Sequence, residues 1–399
     1  MERIFIQCSA LTVCAAATLA LLAACDNDSK KIVTPPITPK FLYASSCGTA
    51  SAKAAAMSRL RHPQKGVAHV SPNTVGTGGV DGYSVDPTTG ALTPLTGSPV
   101  ATGMSCPEFL TTDPGQKFLF VPDEGNDLLH AFTIGSTGAL TEVSGSPYSQ
   151  CVFQLAVDPS GKYLVAPDFC NNNIAVYTIG SDGSLTAVAG SPFAETSGNS
   201  PQSVFIDPTG QWVYVADVID GPGTISAFAL SSAGALTQIT GSPFTSGLDS
   251  YSITGTADGK YLYLNNLGTV GSEIIGFSVN STTGALTALT TPAYPGGNCW
   301  DSVDVSGAVL FTTDCNGNVL SSVIGSDGSL TTATGSPFTA GVSTWPVVGD
   351  PSSKFVYAGD DNSPGQIFAY TYTAAGVLAP VSGSPFTSGT YIEGIVVTH

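Results

Sequence analysis

The sequence predicts an all-β protein, a seven-bladed β-propeller with four antiparallel strands in each blade. The phrase Gly-[Ala/Ser/Val]-Leu recurs seven times at intervals of 44 to 51 residues, and a period in the forties built from short strands is typical of propeller blades. The 46 glycines and 27 prolines also recur at intervals, which indicates many turns between short strands. A helical period is found only in one short insertion. The seven phrases begin at Gly90, Gly138, Gly183, Gly234, Gly284, Gly328 and Gly376.

Each repeat contains four segments of strand character, as residues 203–240 illustrate. The first two are "SVFID" (203–207) and "WVYVAD" (212–217), and they are followed by "TISAFAL" (224–230) and "ALTQIT" (235–240). Gly234 suits the hairpin turn before the fourth strand because glycine adopts positive φ without steric cost. The phrase "GSPF" is expected to be a corner into the next blade, with proline ending the ladder where no N–H is needed. We assign it no binding role.

The two ends of the repeat array are complementary. The first copy, "KFLYASS" (40–46), is a second strand with no strand before it, and "YIEGIVVTH" (391–399) is a first strand with nothing after it. We therefore expect the C-terminal strand to close the ring by pairing into blade 1. Closure removes two exposed sheet edges, and we expect a monomer.

The N-terminal segment resembles the export signal of a bacterial lipoprotein. The apolar run from Ala10 to Ala24 is too short to span a bilayer comfortably, and it ends in Leu22-Ala23-Ala24-Cys25. This interpretation gives a signal peptide at 1–24, a lipidated Cys25 followed by a tether (25–39), and a propeller at 40–399. The alternative is an ordinary secretory signal with a chance cysteine. We expect a protein of the bacterial cell envelope, periplasmic or surface-exposed, attached to the membrane by the lipid alone.

The charge distribution excludes several partners. The formal net charge is −17, and after Lys65 the chain has four lysines, no arginine and 26 acidic residues. Nucleic acid requires basic residues to neutralise its phosphates, and a phosphosugar usually requires an arginine clamp or a helix N-terminus. We therefore expect neither as a ligand.

One insertion in blade 1, residues 48–72, is basic. It carries Lys53, Arg59, Arg61 and Lys65, and it also contains His62 and His69. It leaves the blade at the face where second strands end. It is either a solvated surface loop or a lid that supplies cationic and imidazole groups to an acidic pocket.

The repeat unit resembles the seven-bladed lactonase family. The shared pattern is D-P-x-G-x-[FYW]-[LV]-[FY]-V-x-[DN], then I-x-x-[FY], then G-x-L-T-x-x-x-G-S-P-F, over most of residues 40–399. The family includes propeller-type 6-phosphogluconolactonases and fungal carboxymuconate cyclases, so the resemblance implies a propeller that opens lactones.

Three stretches match the motif positions of the enzymatic relatives. Cys106-Pro107-Glu108 stands where they carry His-Pro-His, Pro201-Gln202-Ser203 replaces Pro-Arg-His, and Asp217-Val218 replaces Asn-Glu. The candidates for general acid–base catalysis are therefore Glu108, at a motif position, and His62 or His69 from the insertion. The alternative for Glu108 is a solvated loop acid.

The second strands end in polar residues that the sevenfold geometry brings toward one face. Five of these seven residues are aspartates, and their carboxylates could bind a hard cation such as Ca²⁺ through oxygen ligands. No other cofactor is predicted. The alternative is that each residue caps its own turn by accepting backbone N–H bonds. The residues are Ser46, Asp123, Asp168, Asp217, Asn266, Asp314 and Asp360.

Six cysteines remain once the signal and the lipidated residue are set aside, and an even number in an exported chain suggests disulfides. The start of a first strand lies beside the end of its second strand, which predicts the pairs Cys151–Cys170 and Cys299–Cys315. A third pair, Cys47–Cys106, would join neighbouring blades at the base of the insertion. A metal site or a catalytic thiol is disfavoured because no C-x-x-C spacing occurs.

Two function hypotheses remain. The first is an envelope-anchored binding or scaffold propeller with a degenerate lactonase site, whose partner is a small molecule, a glycan or an envelope protein. The alternative is a lactone hydrolase acting on a non-phosphorylated, sugar-type lactone. No G-x-S-x-G, H-E-x-x-H or P-loop occurs. His130 lies within a third strand, where we expect a packing or surface residue and not a base.

Overall fold

The computed structural model describes residues 38–54, 77–100, 103–195, 200–218, 223–247, 250–268, 271–289, 294–295, 303–314 and 316–399. Within them the strands form seven antiparallel sheets, which confirms the seven-bladed propeller.

The strands follow one another blade by blade along the chain. Blade 1 contains β1 (Phe41–Ser46), β2 (Gly79–Val85) and β3 (Leu92–Pro94); blade 2 contains β4 (Thr111–Thr112), β5 (Phe118–Asp123), β6 (Leu128–Ile134), β7 (Leu140–Glu142) and β8 (Tyr148–Ser149). Blade 3 contains β9 (Ala156–Val157), β10 (Tyr163–Asp168), β11 (Asn173–Ile179), β12 (Leu185–Ala187) and β13 (Phe193–Ala194). Blade 4 contains β14 (Ser200–Ile206), β15 (Trp212–Val218), β16 (Gly223–Leu230), β17 (Leu236–Gln238) and β18 (Phe244–Gly247).

The second half of the chain repeats this order. Blade 5 contains β19 (Ser250–Gly255), β20 (Tyr261–Gly268), β21 (Gly271–Val279), β22 (Leu286–Ala288) and β23 (Tyr294–Pro295). Blade 6 contains β24 (Val303–Ser306), β25 (Val309–Asp314), β26 (Asn318–Ile324), β27 (Leu330–Thr332) and β28 (Phe338–Thr339). Blade 7 contains β29 (Thr344–Gly349), β30 (Phe355–Asp360), β31 (Gln366–Tyr372), β32 (Leu378–Pro380) and β33 (Phe386–Thr387), and the chain ends in β34 (Ile392–Val397).

The C-terminal strand completes blade 1, as the sequence predicts. The strand order of that sheet is β3-β2-β1-β34, and β34 pairs antiparallel with β1 through Leu42 opposite Val397 and Ala44 opposite Ile395. The innermost strand of blade 1 therefore comes from the opposite end of the chain.

The expected corner at "GSPF" is wrong. The outer edge of a blade is formed by two short segments, and in blade 4 both β17 and β18 pair with β16. Between them the Ser242 hydroxyl accepts a 2.8 Å hydrogen bond from the Ala227 N–H, so a side chain replaces the missing ladder acceptor. The same bond recurs at Ser98, Ser146, Ser191, Ser336 and Ser384.

The glycine of the repeated phrase is fixed by the neighbouring blade. The Tyr357 hydroxyl of blade 7 donates a 3.0 Å hydrogen bond to the Gly90 carbonyl of blade 1. Gly90 has φ +76°, and a Cβ built there would lie 2.5 Å from the Phe355 ring. The aromatic residues of one second strand thus pack on the turn of the next blade. The same hydroxyl-to-glycine bond joins Tyr43 to Gly138, Tyr214 to Gly284, and Tyr263 to Gly328.

The start of the insertion packs against the propeller. Residues 50–54 are helical, and the Thr49 hydroxyl caps this turn by accepting from the Ala52 N–H at 3.0 Å. The remaining basic and histidine residues of the insertion lie outside the described residues: Arg59, Arg61, His62, Lys65 and His69. Cys25, Cys299 and Cys315 also lie outside them. In the part of the chain that the structure describes, no helix has the length and apolar character needed to cross a membrane.

Candidate functional site

Glu108 lies at the junction between blades 1 and 2, beside the last strand of the chain. Its N–H donates to the Pro122 carbonyl at 2.8 Å, and its own carbonyl accepts from the Ser45 hydroxyl at 2.8 Å. These bonds tie the motif segment to both blades. The side chain is 1% exposed, so the solvated-acid alternative is wrong. Among the described residues, its Oε2 atom has no hydrogen-bond partner.

A disulfide lies between Glu108 and a second buried acid. The structure contains the predicted Cys47–Cys106 bond, which joins blades 1 and 2, and also Cys151–Cys170 within blade 3. Cys106 Sγ lies 3.7 Å from Glu108 Oε1, and Cys47 Sγ lies 3.3 Å from Glu393 Oε1. Both carboxyl groups therefore flank one disulfide.

Glu393 is the site residue that the sequence analysis missed. It belongs to β34, is 1% exposed, and reaches the junction only because that strand closes the ring. The signal available in the sequence is one acid inside the apolar run "YIEGIVV" (391–397).

The insertion places Lys53 against these acids. Lys53 Nζ forms an ion pair with Asp361 and lies 3.8 Å from Glu393 Oε1. Ala52 beside it packs on Cys47 and Cys106. Lys53 thus carries a cation into an acidic cluster, and the lid over a pocket stays a prediction. His62 and His69, the other expected contributions, lie outside the described residues.

Burial dominates the electrostatics of the two glutamates. Burial raises the pKa of Glu108 well above its usual range, and the nearby carboxylates of Glu393 and Glu124 raise it further. Burial also raises the pKa of Glu393 to about 7, against the opposing effect of Lys53. Burial therefore favours the neutral, protonated form of Glu108, which lies beside a group that exchanges its proton near pH 7. Such a pair can donate and accept protons in one reaction.

Asp123 holds the backbone at the start of the motif segment Cys106-Pro107-Glu108. Its carboxylate accepts from the N–H groups of Ser105 and Cys106 at 3.1 and 2.9 Å, and burial raises its pKa. His130 lies behind it, with Nδ1 2.8 Å from Glu142 Oε1 and Nε2 4.0 Å from Asp123 Oδ2. His130 is buried within β6, as the packing role requires.

The other carboxylates at the second-strand ends are held by groups near them. Asp168 accepts from the Asn171 N–H at 2.9 Å, and Asp314 accepts from the Asn318 N–H at 2.8 Å. Asp360 accepts from the Ser343 N–H at 3.0 Å, and Asp217 accepts from the Thr224 hydroxyl at 2.9 Å. Asp168 and Asp314 thus cap their own turns, as the alternative expects, whereas Asp360 is held by another segment and Asp217 by a side chain. The Ca²⁺ ring stays a prediction.

Among the described residues, two cysteine-containing clusters have the spacing of a metal site, but their chemistry does not fit one. They are Cys47, Cys106 and Glu108, and Asp127, Cys151 and Cys170. Both cysteine pairs are disulfides and offer no thiolate.

The second and third motif positions lie in blade 4. Gln202 and Ser203 are buried in β14, and Asp217 is buried near the end of β15. The Ser203 hydroxyl donates to the Gln154 amide oxygen and accepts from the Ile253 N–H at 3.0 Å. It therefore links the innermost strands of blades 3, 4 and 5, which is a structural role.

Comparisons with known proteins agree with this fold. The family model for the seven-bladed β-propeller lactonases matches residues 67–314. A proposed 6-phosphogluconolactonase from Bacteroides fragilis is 19% identical with a TM-score of 0.69, covering 91% of this chain and 98% of its own. The periplasmic gluconolactonase PpgL of Pseudomonas aeruginosa is 17% identical with a TM-score of 0.64, covering 90% of this chain and 99% of its own. None of the curated proteins matches the sequence.

Proposed function

Because this chain belongs to the seven-bladed β-propeller lactonase family, we propose that it hydrolyses a non-phosphorylated, sugar-type lactone in the bacterial cell envelope. The observation that carries the proposal is the buried pair Glu108 and Glu393. One member occupies a motif position of the family, and the other has a pKa of about 7.

The two carboxyl groups can take complementary parts in lactone hydrolysis. The Glu393 carboxylate takes a proton from the water that attacks the carbonyl carbon. The neutral Glu108 carboxyl gives its proton to the ring oxygen as the carbonyl C–O bond breaks. The product is a hydroxy acid, and the pair exchanges its protons with solvent before the next cycle. Lys53 favours the charged form of Glu393.

The described residues favour a substrate without phosphate. They contain no arginine, and five lysines directly precede second strands, at the opposite end of the blades from Asp123 and Asp360: Lys40, Lys117, Lys162, Lys260 and Lys354. Lys53, the remaining cation near Glu108 in the described chain, is engaged by Asp361. Among the described residues, a phosphate group near Glu108 would therefore have neither an arginine nor an unpaired lysine to bind it.

The envelope location rests on the N-terminal sequence. Leu22-Ala23-Ala24-Cys25 supports a lipid anchor at Cys25, and residues 25–39 supply a tether to the propeller. A periplasmic gluconolactonase among the structural neighbours is consistent with this location.

A binding or scaffold propeller is the second candidate. It is favoured by the 1% exposure of Glu108 and by the replacement of the motif arginine and histidine by Gln202 and Ser203. In that case the same face recognises a small molecule, a glycan or an envelope protein without turnover.

The two candidates are separated by a pH-stat assay on the full chain. The substrates are glucono-δ-lactone, γ-butyrolactone and 6-phosphogluconolactone, and with glucono-δ-lactone we expect base uptake faster than its spontaneous hydrolysis. Glu108→Gln should lower kcat/KM at least 100-fold, because it removes the proton donor. Glu273→Gln is the matched control, since Glu273 is exposed on blade 5, and it should keep full activity. Absence of turnover with every lactone would contradict hydrolysis and leave the binding candidate.

A further inference from the structure

Three aromatic rings meet at the centre of the propeller, on the side where the second strands end. The Phe109 ring of blade 2 packs edge-on against Phe153 of blade 3, with centroids 5.3 Å apart. The Phe109 ring also lies 6.2 Å from the ring of Trp345 in blade 7. In the ring, blade 1 stands between blades 7 and 2. The contact between Phe109 and Trp345 therefore lies on the side of β34 that faces the propeller axis.

Gly394 in β34 permits this approach. A Cβ built there would lie 2.7 Å from the Glu108 carbonyl oxygen and 3.0 Å from the Phe109 Cα. The absence of a side chain at Gly394 therefore lets blade 2 come close to the closing strand. The Phe109 ring and its two aromatic contacts therefore lie beside Glu108 and the closing strand.

The level of the rings along the axis follows from the strand register. Thr344 pairs with Asp360, and Pro107 bridges Asp123, so Trp345 and Phe109 lie near the ends of their second strands. Phe153 and Trp345 are 2% and 5% exposed, whereas Phe109 is partly exposed. Phe109 thus presents the accessible surface of the aromatic cluster.

A partly exposed amide stands beside this surface. Gln154 forms a parallel bridge with Phe109, and its N–H donates to the Gln202 carbonyl at 3.3 Å. Its amide oxygen accepts from the Ser203 hydroxyl, and in this arrangement the amide NH2 group is the end that can donate to a ligand.

We propose that Phe109 and Gln154 form a binding subsite for the neutral, hydroxylated ring of the substrate. The C–H face of a sugar-type ring stacks on the Phe109 ring, which is held in place by its contacts with Phe153 and Trp345, and the Gln154 amide donates to a ring hydroxyl. An apolar aromatic surface with one oriented polar group is the composition expected of a site for a small neutral ligand. The identity of the ring as a lactone rests on the proposed function.

The subsite is tested by binding, independently of turnover. The probe is D-glucono-1,5-lactam, a ring analogue whose amide bond resists hydrolysis, and the readout is tryptophan fluorescence together with isothermal titration calorimetry on the full chain. Phe109→Leu removes the aromatic face and keeps an apolar side chain, so we expect at least tenfold weaker lactam binding. Phe109→Tyr keeps the face and should bind within about twofold of the original protein.

A second pair of probes tests the amide. δ-Valerolactam lacks the hydroxyl groups and should bind at least tenfold more weakly than the gluconolactam, and Gln154→Ala should reduce that difference. Circular dichroism and thermal unfolding establish that each variant is folded. If the Phe109→Leu variant is unfolded, the comparison of the two lactams and the Gln154→Ala variant decide whether the subsite exists.

The possible outcomes separate the subsite from the reaction. Lactam binding that depends on Phe109 without lactone turnover supports the subsite and contradicts hydrolysis. Turnover with lactam affinity unchanged in folded Phe109→Leu overturns the subsite and leaves hydrolysis standing. Absence of saturable lactam binding overturns the subsite whatever the turnover.

Discussion

Lys53 Nζ lies 3.8 Å from Glu393 Oε1, so a residue of the blade 1 insertion contacts the strand that closes the ring. The lysine side chain is 18% exposed, and its second partner is Asp361 of blade 7. One cation therefore connects the insertion, the last blade and the C-terminal strand, next to the disulfide that joins blades 1 and 2.

Replacing Lys53 by methionine should destabilise the protein by about 3 kcal/mol at pH 8, because removal of one partner leaves buried carboxylates uncompensated. The loss should be smaller at pH 5, where Glu393 is protonated and only Asp361 loses its partner. Urea unfolding at the two pH values measures both effects. Lys260→Met is the matched control, since the Lys260–Asp258 pair is exposed and should contribute little. Equal losses for the two variants would contradict the buried ion pair.

Stability should fall as pH rises between about 4.5 and 7. The pKa of Glu393 rises from about 4.5 in the unfolded chain to about 7 in the folded protein. In this window the unfolded chain releases its proton first, and stability decreases by about 1.4 kcal/mol per pH unit for this carboxyl. Glu108 contributes in the same direction, because burial raises its pKa as well.

Glu393→Gln should flatten this dependence. The free energy of unfolding, measured with urea at pH 5, 6 and 7, should change less with pH than in the original protein. The exposed acid variant Glu273→Gln should keep the original slope. A slope that Glu393→Gln leaves unchanged would show that this carboxyl is not held neutral by burial.

The packing between blades predicts different costs for two glycines of blade 1. Gly90 has φ +76° and a Cβ site 2.5 Å from Phe355, whereas Gly97 has φ +87° and a Cβ site with no heavy atom of the described residues within 4 Å. Gly97→Ala should cost about 1 kcal/mol, from the left-handed backbone alone. Gly90→Ala should cost about 2 to 4 kcal/mol, because overpacking adds to the backbone term. Thermal unfolding compares them, and equal costs would contradict the ring-on-glycine contact.

The sequence was sufficient to predict the architecture because each repeat shows where its strands begin and end. The seven glycines mark the blades, and the surplus strand at the C-terminus matches the missing one before Phe41. The disulfide between Cys47 and Cys106 followed from the same register, since both residues stand at the ends of strands that the repeat aligns.

Only one of the two glutamates of the candidate site could be predicted from the sequence. Glu108 stood out by its position in a family motif, but its partner Glu393 is 285 residues away and reaches it only through ring closure. The contact of Lys53 depends on how the insertion packs, which no periodicity encodes. The divided outer strand was also missed, because a serine hydroxyl that replaces a backbone acceptor leaves no trace in the hydrophobic pattern.

The pH dependence of kcat/KM for glucono-δ-lactone between pH 5 and 8 tests the acid–base pair most directly, after subtraction of spontaneous hydrolysis. We expect kcat/KM to rise about tenfold per unit below pH 7 and then to level off, because Glu393 must lose its proton while Glu108 keeps its own. A rate that does not change between pH 5 and 7, or a profile that Glu393→Gln leaves unaltered, would contradict the assignment of these two carboxyl groups as the catalytic pair.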